Sequence, residues 1–403
     1  MMINTCSRQH VEICRDEAMR QLQDYCAAFI VPQRDKPKEF GGNTPWCRIE
    51  DIQGKYLNGT RSGQYVSEET IKKMNLKVIP EGAVICSCSA SLGVQAIVVT
   101  PCITNQTFIG IVPKEELNKE FLYYLLKSKS AYFKKIGTGT TIPYISRKKF
   151  EQLPVPGLTL TEQTKVVRIL NHAEMIIEHR KKELLRLDEL VKARFVEMFG
   201  DPVANPKGWE TYQLNDCLKW IDNGKSFVCS DKPRGGDYPA VLKLSAATYG
   251  DYRPEENKAL LDENQFVEGA EVHAGDLLFT RKNTPELVGM AAYVHETPER
   301  LMMPDLIFRL VTNDRMNPVF LWQLINCKEF RPIIQGISGG SAKSMSNISK
   351  ERLGRINVIC PPRQIQDQLV PFAHQVDKSK AVIQKSLDET QLLFDSLMQK
   401  YFG

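Results

Sequence analysis

The sequence has 403 residues, 42% hydrophobic and 25% charged, with a formal net charge of +5. That is ordinary globular composition, long enough for two hydrophobic cores, and no apolar run nears the roughly 20 residues a membrane span requires. The 11 cysteines include no CxxC pair, which argues against a disulfide framework or a zinc ribbon, and the mild positive balance permits a nucleic-acid partner without indicating one.

The opening stretch MMINTCSRQHVEICRDEAMRQ is polar and acidic where a secretory signal would be apolar, so a cytoplasmic protein is expected. Residues before Phe29 read as helical, with no counterpart later in the chain. Strands are predicted at WCRIEDI, AVICSCSA, VQAIVV and TFIGIVP, then a helix over 115–129. Cys86 and Cys88 sit in the second of these strands and read as packed thiols, not metal ligands. After the junction LPVPGLTLTEQ, the positions Val166, Leu170, Ala173, Ile177, Leu184, Leu187, Val191 and Met198 fall at alternating steps of three and four, a heptad seam. Thr159 and Glu162 have capping-box spacing, and Gly200 with Pro202 supplies the stop. A helix of about 38 residues would be roughly 57 Å long.

The second half repeats this order. AVLKLSAA, DLLFTRK, MAAYVHE and LIFRLVT read as strands and 318–329 as a helix, followed by INVICPPRQIQDQ and a second heptad pattern at Leu369, Phe372, Val376, Ile383, Leu393 and Leu397. Pro371 within it should start or kink that helix. Ile145 and Ser146 fall on Ile348 and Ser349, Gln163 on Gln366, and Phe199-Gly200 on Phe402-Gly403, all at one offset of 203 positions. The chain is a duplication whose second globular part carries a few inserted residues.

The turns between the strands hold GTRSGQY, TNQT and GTGTTIPYISRKK in the first half, and DNGKS, DKPRGG, TRKNTPE and SGGSAKSMSN in the second. Their Arg, Lys, Asn, Gln, Thr and Ser side chains are the types that read base edges and grip phosphate, although solvated loops have the same composition. No GxxxxGK[ST] motif, no NPPY-type or DPPY-type tetrad and no supported Ser, His and Asp grouping occurs. His172, His179 and His374 lie on the helices, where packing or surface roles are expected. The reading is a binder with no catalytic residue and no metal site.

The order TEQ, LDEL, FVEMFGDP, GWET and finally SLMQKYFG, with LLFTRKNTPELVG and GTTIPYIS in the globular halves, resembles the specificity subunits of type I restriction-modification systems. The resemblance implies an α+β protein with two similar, strand-rich mixed α/β target-recognition domains, over 1–158 and 201–362. Two long helices, over 159–200 and 363–403, would pair as an antiparallel coiled coil about a pseudo-twofold axis. Leu170, Ile177, Leu184, Leu187 and Val191 would face Val376, Ile383, Leu393 and Leu397. Each domain would read one half of a bipartite double-stranded DNA target, and a rod of roughly 57 Å exceeds one turn of B-DNA, about 34 Å. DNA contacts are expected from Arg61, Asn105, Gln106, Thr138, Thr140, Tyr144 and Arg147 in the first half. In the second they are expected from Lys225, Arg234, Arg281, Lys282, Asn283 and Lys343. The implied partners are two modification subunits and the restriction subunits; S-adenosylmethionine, ATP and magnesium belong on those partners and no cofactor on this chain. A coiled-coil scaffold with two protein-binding modules, or a silent or recombining specificity protein, would use the same architecture.

Overall fold

The computed structural model describes residues 20–33, 36–138, 142–339 and 345–403. The chain forms two compact units, one built from the residues up to Arg180 together with 386–403, the other from 181–385. Among the described residues no helix is long and apolar enough to cross a membrane.

In the first unit a five-stranded sheet runs in the order Cys26–Ile30, Phe108–Pro113, Val84–Ser87, Gln95–Val98, Tyr56–Leu57, beside a three-stranded sheet of Tyr65–Val66, Thr44–Cys47 and Ile103–Thr104. The strand Val84–Ser87 is buried at every position, as expected of a β-rich segment covered on both faces. The helix Lys119–Ser128 lies against this sheet and buries the whole run from Phe121 to Leu126. At about 1.5–3 kcal/mol for each large apolar side chain, that run is a main source of the unit's stability.

The second unit repeats the plan: a four-stranded sheet of Leu218–Asn223, Ile307–Thr312, Leu277–Thr280 and Ala291–Tyr293, a three-stranded sheet of Asn257–Ala259, Ala240–Leu242 and Leu301–Met302, and the helix Pro318–Asn326. The N-terminal expectation is corrected here. From Arg20 the chain is not helical: Arg20–Gln21 pairs with Pro154–Val155, a short 3-10 turn follows, and Cys26–Ile30 enters the main sheet. Nor is this segment unduplicated, because Thr211–Gln213 pairs with Asn357–Ile359 in the same way, and the N–H groups of Leu22 and Leu214 bond Leu153 O and Ile356 O, both at 2.8 Å. The local sequence is polar enough to suit a helix, but unpaired backbone beside the proline junction draws it into a ladder. Residues 1–19 lie outside the described residues.

The long helices span Leu160–Phe199 and Leu369–Phe402. Thr159 and Glu162 cap the first reciprocally: the Thr159 N–H donates to the Glu162 carboxylate at 2.8 Å and the Glu162 N–H to the Thr159 hydroxyl at 3.4 Å. Its far end turns off at Gly200 with φ +80°, where a Cβ would meet the Pro206 ring at 2.9 Å. Pro371 falls in the first turn of the second helix, where its missing N–H would have had no partner, so the helix begins just before it and needs no kink there. Within the second unit Lys380 pairs with Asp188 while the Arg194 guanidinium lies over the Phe372 ring, so the two helices run antiparallel.

Of the expected seam, Leu170, Ile177, Val191 and Val376 are buried and Leu184, Leu187, Ile383 and Leu397 are half-buried. Leu393 is a correction: it is 55% exposed, and Phe394 is buried in its place, together with Leu387, Met398 and Phe402. The ten residues from Ile383 to Leu393 keep heptad spacing, but at about 100° per residue they carry Leu393 roughly 80° from the direction of Ile383, whereas Phe394, one residue further, lies within about 20° of it.

Each globular part is anchored to a helix end by the same aromatic contact. Phe121 meets Phe402 with ring centroids 4.9 Å apart, and Phe320 meets Phe199 at 4.7 Å.

Candidate nucleic-acid interface

In the first unit the strand Val84–Ser87 ends at a loop that two other segments hold in place. The Cys88 N–H bonds Thr107 O and the Ile145 N–H bonds Cys88 O, both at 2.8 Å, while the Ala90 N–H reaches Pro143 O at 3.2 Å. Thr138 and Tyr144 exchange backbone bonds at 3.1 and 2.9 Å, and Ser89 bridges to Tyr144. This lacing brings the exposed Gln106, Thr138 and Tyr144 around one loop, where Ala90 takes a left-handed φ of 61°. Tyr144 is 43% exposed, and partial burial raises its hydroxyl above the ordinary value.

The other first-half candidates are placed differently. The Asn105 side chain accepts from Thr107 and shapes its own turn. Arg147 opens the short helix Arg147–Glu151, pairs with Glu151 at 2.6 Å and remains exposed. Arg61 is exposed and is held through its backbone N–H on Asp51, not by the Cys88 loop. Thr140 lies outside the described residues.

The second unit repeats the lacing with different side chains. The Ile348 N–H bonds Arg281 O at 2.8 Å, Gly339 and Asn347 exchange backbone bonds at 2.8 and 2.9 Å, and Lys282–Asn283 pairs with Ser346–Asn347. Asn283 is only 8% exposed: its amide donates to the Thr248 hydroxyl at 3.1 Å and its oxygen accepts from the Thr284 N–H. Neighbours on a strand point to opposite faces, so Lys282 stands on the outward side. Arg281 is turned inward, 3.3 Å from Asn347 Oδ1 and 5.0 Å from the centre of the Phe308 ring. Arg234 is likewise engaged with its own chain, donating to Glu299 O at 2.7 Å and Tyr238 O at 3.4 Å. Lys225 is exposed beside Gly224. Lys343 lies outside the described residues.

Three cations that were not among the expected contacts also border these loops. Lys350, at the place of Arg147, bonds Ile221 O and lies 5.7 Å from the Phe308 ring centre; Lys149 donates to Ile136 O at 2.9 Å; Arg331 donates to Gly289 O and Val288 O. The duplication offset pairs Arg147 with Lys350 and was the signal available for the first of them.

The description "Type I restriction modification DNA specificity domain" fits residues 19–187 and, a second time, residues 206–391. The chain belongs to this family. It is 31% identical over 235 residues to the type I restriction enzyme MjaIX specificity subunit of Methanocaldococcus jannaschii, covering 53% of this chain and 54% of that one. It is 30% identical over 231 residues to the EcoEI specificity subunit of Escherichia coli, covering 55% of this chain and 39% of that one. The chain therefore spans about half or less of the length of these curated relatives. Among solved structures it is similar to the type I restriction-modification S subunit from M. genitalium, with a TM-score of 0.56 at 15% identity over 95% of both chains. A chain from a structure described as the basis of complex assembly and conformational transition of the type I system gives 0.53 at 18% identity, over 95% of this chain and 96% of that one. At such identities the likeness fixes the fold: two mixed α/β domains with two long helices.

Proposed function

We propose that this family member is the DNA-specificity subunit of a type I restriction-modification complex, in which each globular domain reads one half of a split duplex target. The observation that carries this reading is the repetition of one laced platform, Ile145 on Cys88 and Ile348 on Arg281, under two different sets of exposed side chains. A duplicated scaffold with divergent loops suits two unlike half-sites. The groups left available are phosphate and base-edge partners: the exposed Gln106, Thr138, Tyr144 and Arg147 in one domain, the exposed Lys225 and the half-buried Lys282 in the other.

In this reading the paired helices set the distance between half-sites and, through their pseudo-twofold repetition, offer similar docking faces to two modification subunits. The chain itself performs no chemistry. S-adenosylmethionine would be held by the modification subunits, which would flip and methylate the target base, and ATP and magnesium by restriction subunits.

The test is the adenine methylome of a host lacking its own modification systems, expressing this chain with the modification subunit encoded beside it. One split motif, present only when both proteins are made, is the expected result. A stable complex that methylates nothing, and binds duplex DNA without steep salt dependence, would instead identify a scaffold.

A further inference from the structure

Gly93 and Gly289 occupy one position in the two domains. Both are left-handed, with φ +79° and +74°, and the N–H of each turns back onto the strand before the loop, Gly93 to Ser87 O at 3.2 Å and Gly289 to Thr280 O at 2.8 Å. From Thr280 to Gly289 the chain is three residues longer than from Ser87 to Gly93. The helix behind the loop holds it differently in each case. In the first domain the Ser130 hydroxyl donates to Gly93 O at 2.9 Å, and a Cβ on Gly93 would meet Ser130 Cα at the same distance. In the second, Arg331 extends a two-pronged guanidinium, Nη1 to Gly289 O at 2.6 Å and Nη2 to Val288 O at 2.5 Å, and Gln335 donates to Glu286 O at 3.0 Å.

We propose that Arg331, with Gln335, is a positioning residue for DNA reading by the second domain: together they clamp the return arm of the longer loop, whose outgoing arm presents Lys282. The inference rests on the DNA-specificity reading above. Three successive grips, on the carbonyls of residues 286, 288 and 289, replace the single serine contact that suffices for the shorter loop. The fork matters as much as the charge, because a planar guanidinium reaches two adjacent carbonyls at once and an ammonium is a single point. Arg331 touches backbone only, so its influence on base reading passes through the loop. The Cβ of any other residue at Gly289 would meet Ile334 Cγ2 at 2.2 Å, which leaves the loop no room to shift toward the helix.

The experiment uses the assembled complex of this chain with its modification subunit and compares initial methylation rates on the intact target and on duplexes altered at one base pair in either half. Arg331→Met should lower discrimination by about tenfold in one half only, the half that Lys282→Ala also affects, with Arg331→Lys intermediate. Gln335→Ala, which removes a single neutral contact, should give about a twofold to threefold loss in the same half and serves if Arg331→Met fails to assemble. Equal slowing on all duplexes with discrimination kept in both halves would mean a purely structural role and overturn the proposal. If the unaltered complex methylates no split target, the DNA-specificity reading fails, and this inference with it.

Discussion

The backbone N–H of Asn118 donates to Oε1 of Gln163 at 2.9 Å, tying the first turn of a domain helix to the start of the central helix. The same amide donates through Nε2 to Glu116 O at 3.0 Å and Leu158 O at 2.9 Å. Gln366 repeats the triad on Asn317, Arg315 and Pro361 at 2.8, 2.9 and 2.6 Å. Both glutamines are buried, and no water can replace them without opening the joint between domain and helix.

Gln163→Ala strands one N–H and two carbonyls, and on the order of 3 kcal/mol of stability should be lost. Gln163→Glu should not rescue it, since a carboxylate accepts from Asn118 but cannot donate to the two carbonyls. Denaturant unfolding, with hydrogen exchange followed at Lys119–Ser128, checks both variants; a midpoint within error of the parent would refute the account.

Truncating the paired aromatics should loosen one unit at a time. Phe402→Ala removes the ring against Phe121 and Phe199→Ala the ring against Phe320, each at about 3–5 kcal/mol. Exchange should accelerate in Lys119–Ser128 for the first and in Pro318–Asn326 for the second. Uniform acceleration of both helices in either variant would contradict the division into units.

The seam register is tested by two adjacent residues. Leu393→Glu should shift stability by no more than about 0.5 kcal/mol, because the side chain is already exposed. Phe394→Glu places a charge where a ring packs against Tyr124 and beneath Lys127, and should prevent the first unit from forming. The reverse order of severity would restore the heptad spacing through Leu393.

Acid should weaken the first unit through Glu120. Burial opposes its charge, but hydrogen bonds from Lys55, Asn171 and Tyr56 outweigh this and hold the carboxyl below its ordinary value of 4.5. A carboxyl depressed by folding contributes in full above its ordinary value, and the contribution is lost as pH falls through the lower folded one. Stability should therefore decline from about pH 4.5 downward, and Glu120→Gln should flatten that decline. Val319 stands at the matching point of the second unit and can make no such contribution. An acid limb as steep in Glu120→Gln as in the parent would assign the effect elsewhere.

At the candidate interface, Tyr144→Phe and Lys282→Ala should each weaken recognition of a different half-site, Tyr144→Phe by about 1–3 kcal/mol if it meets a base edge. Lys282→Ala should also reduce the salt slope of binding by about one if it meets a phosphate. Arg234→Ala should act on stability instead, since its guanidinium staples its own loop to Glu299 and Tyr238. Binding titrations over a salt series on half-site variants distinguish these outcomes.

The long helices and the duplication were legible because periodicity and offset are properties of sequence alone. The strand at Cys26–Ile30 was not, because its pairing with Phe108–Pro113 comes from the tertiary context. At the interface, residue type showed which side chains can hydrogen-bond but not whether the partner is DNA or the protein itself. Arg281, Asn283 and Arg234 have the right chemistry and are engaged internally; Arg331 was passed over because it sits on a helix behind the loop, and its cue, the alignment of Gly93 with Gly289, needs a gap of three residues to appear.

The first unit is completed by residues 386–403, whereas the second is contiguous from 181 to 385. On the ribosome the second unit can close as soon as it emerges, while the first waits with Phe121 and Tyr124 uncovered until the last helix turns arrive. At about 5–20 residues per second the delay is on the order of 10–40 s, long enough that premature release or a stalled ribosome would leave the earlier-made domain as the aggregation-prone one.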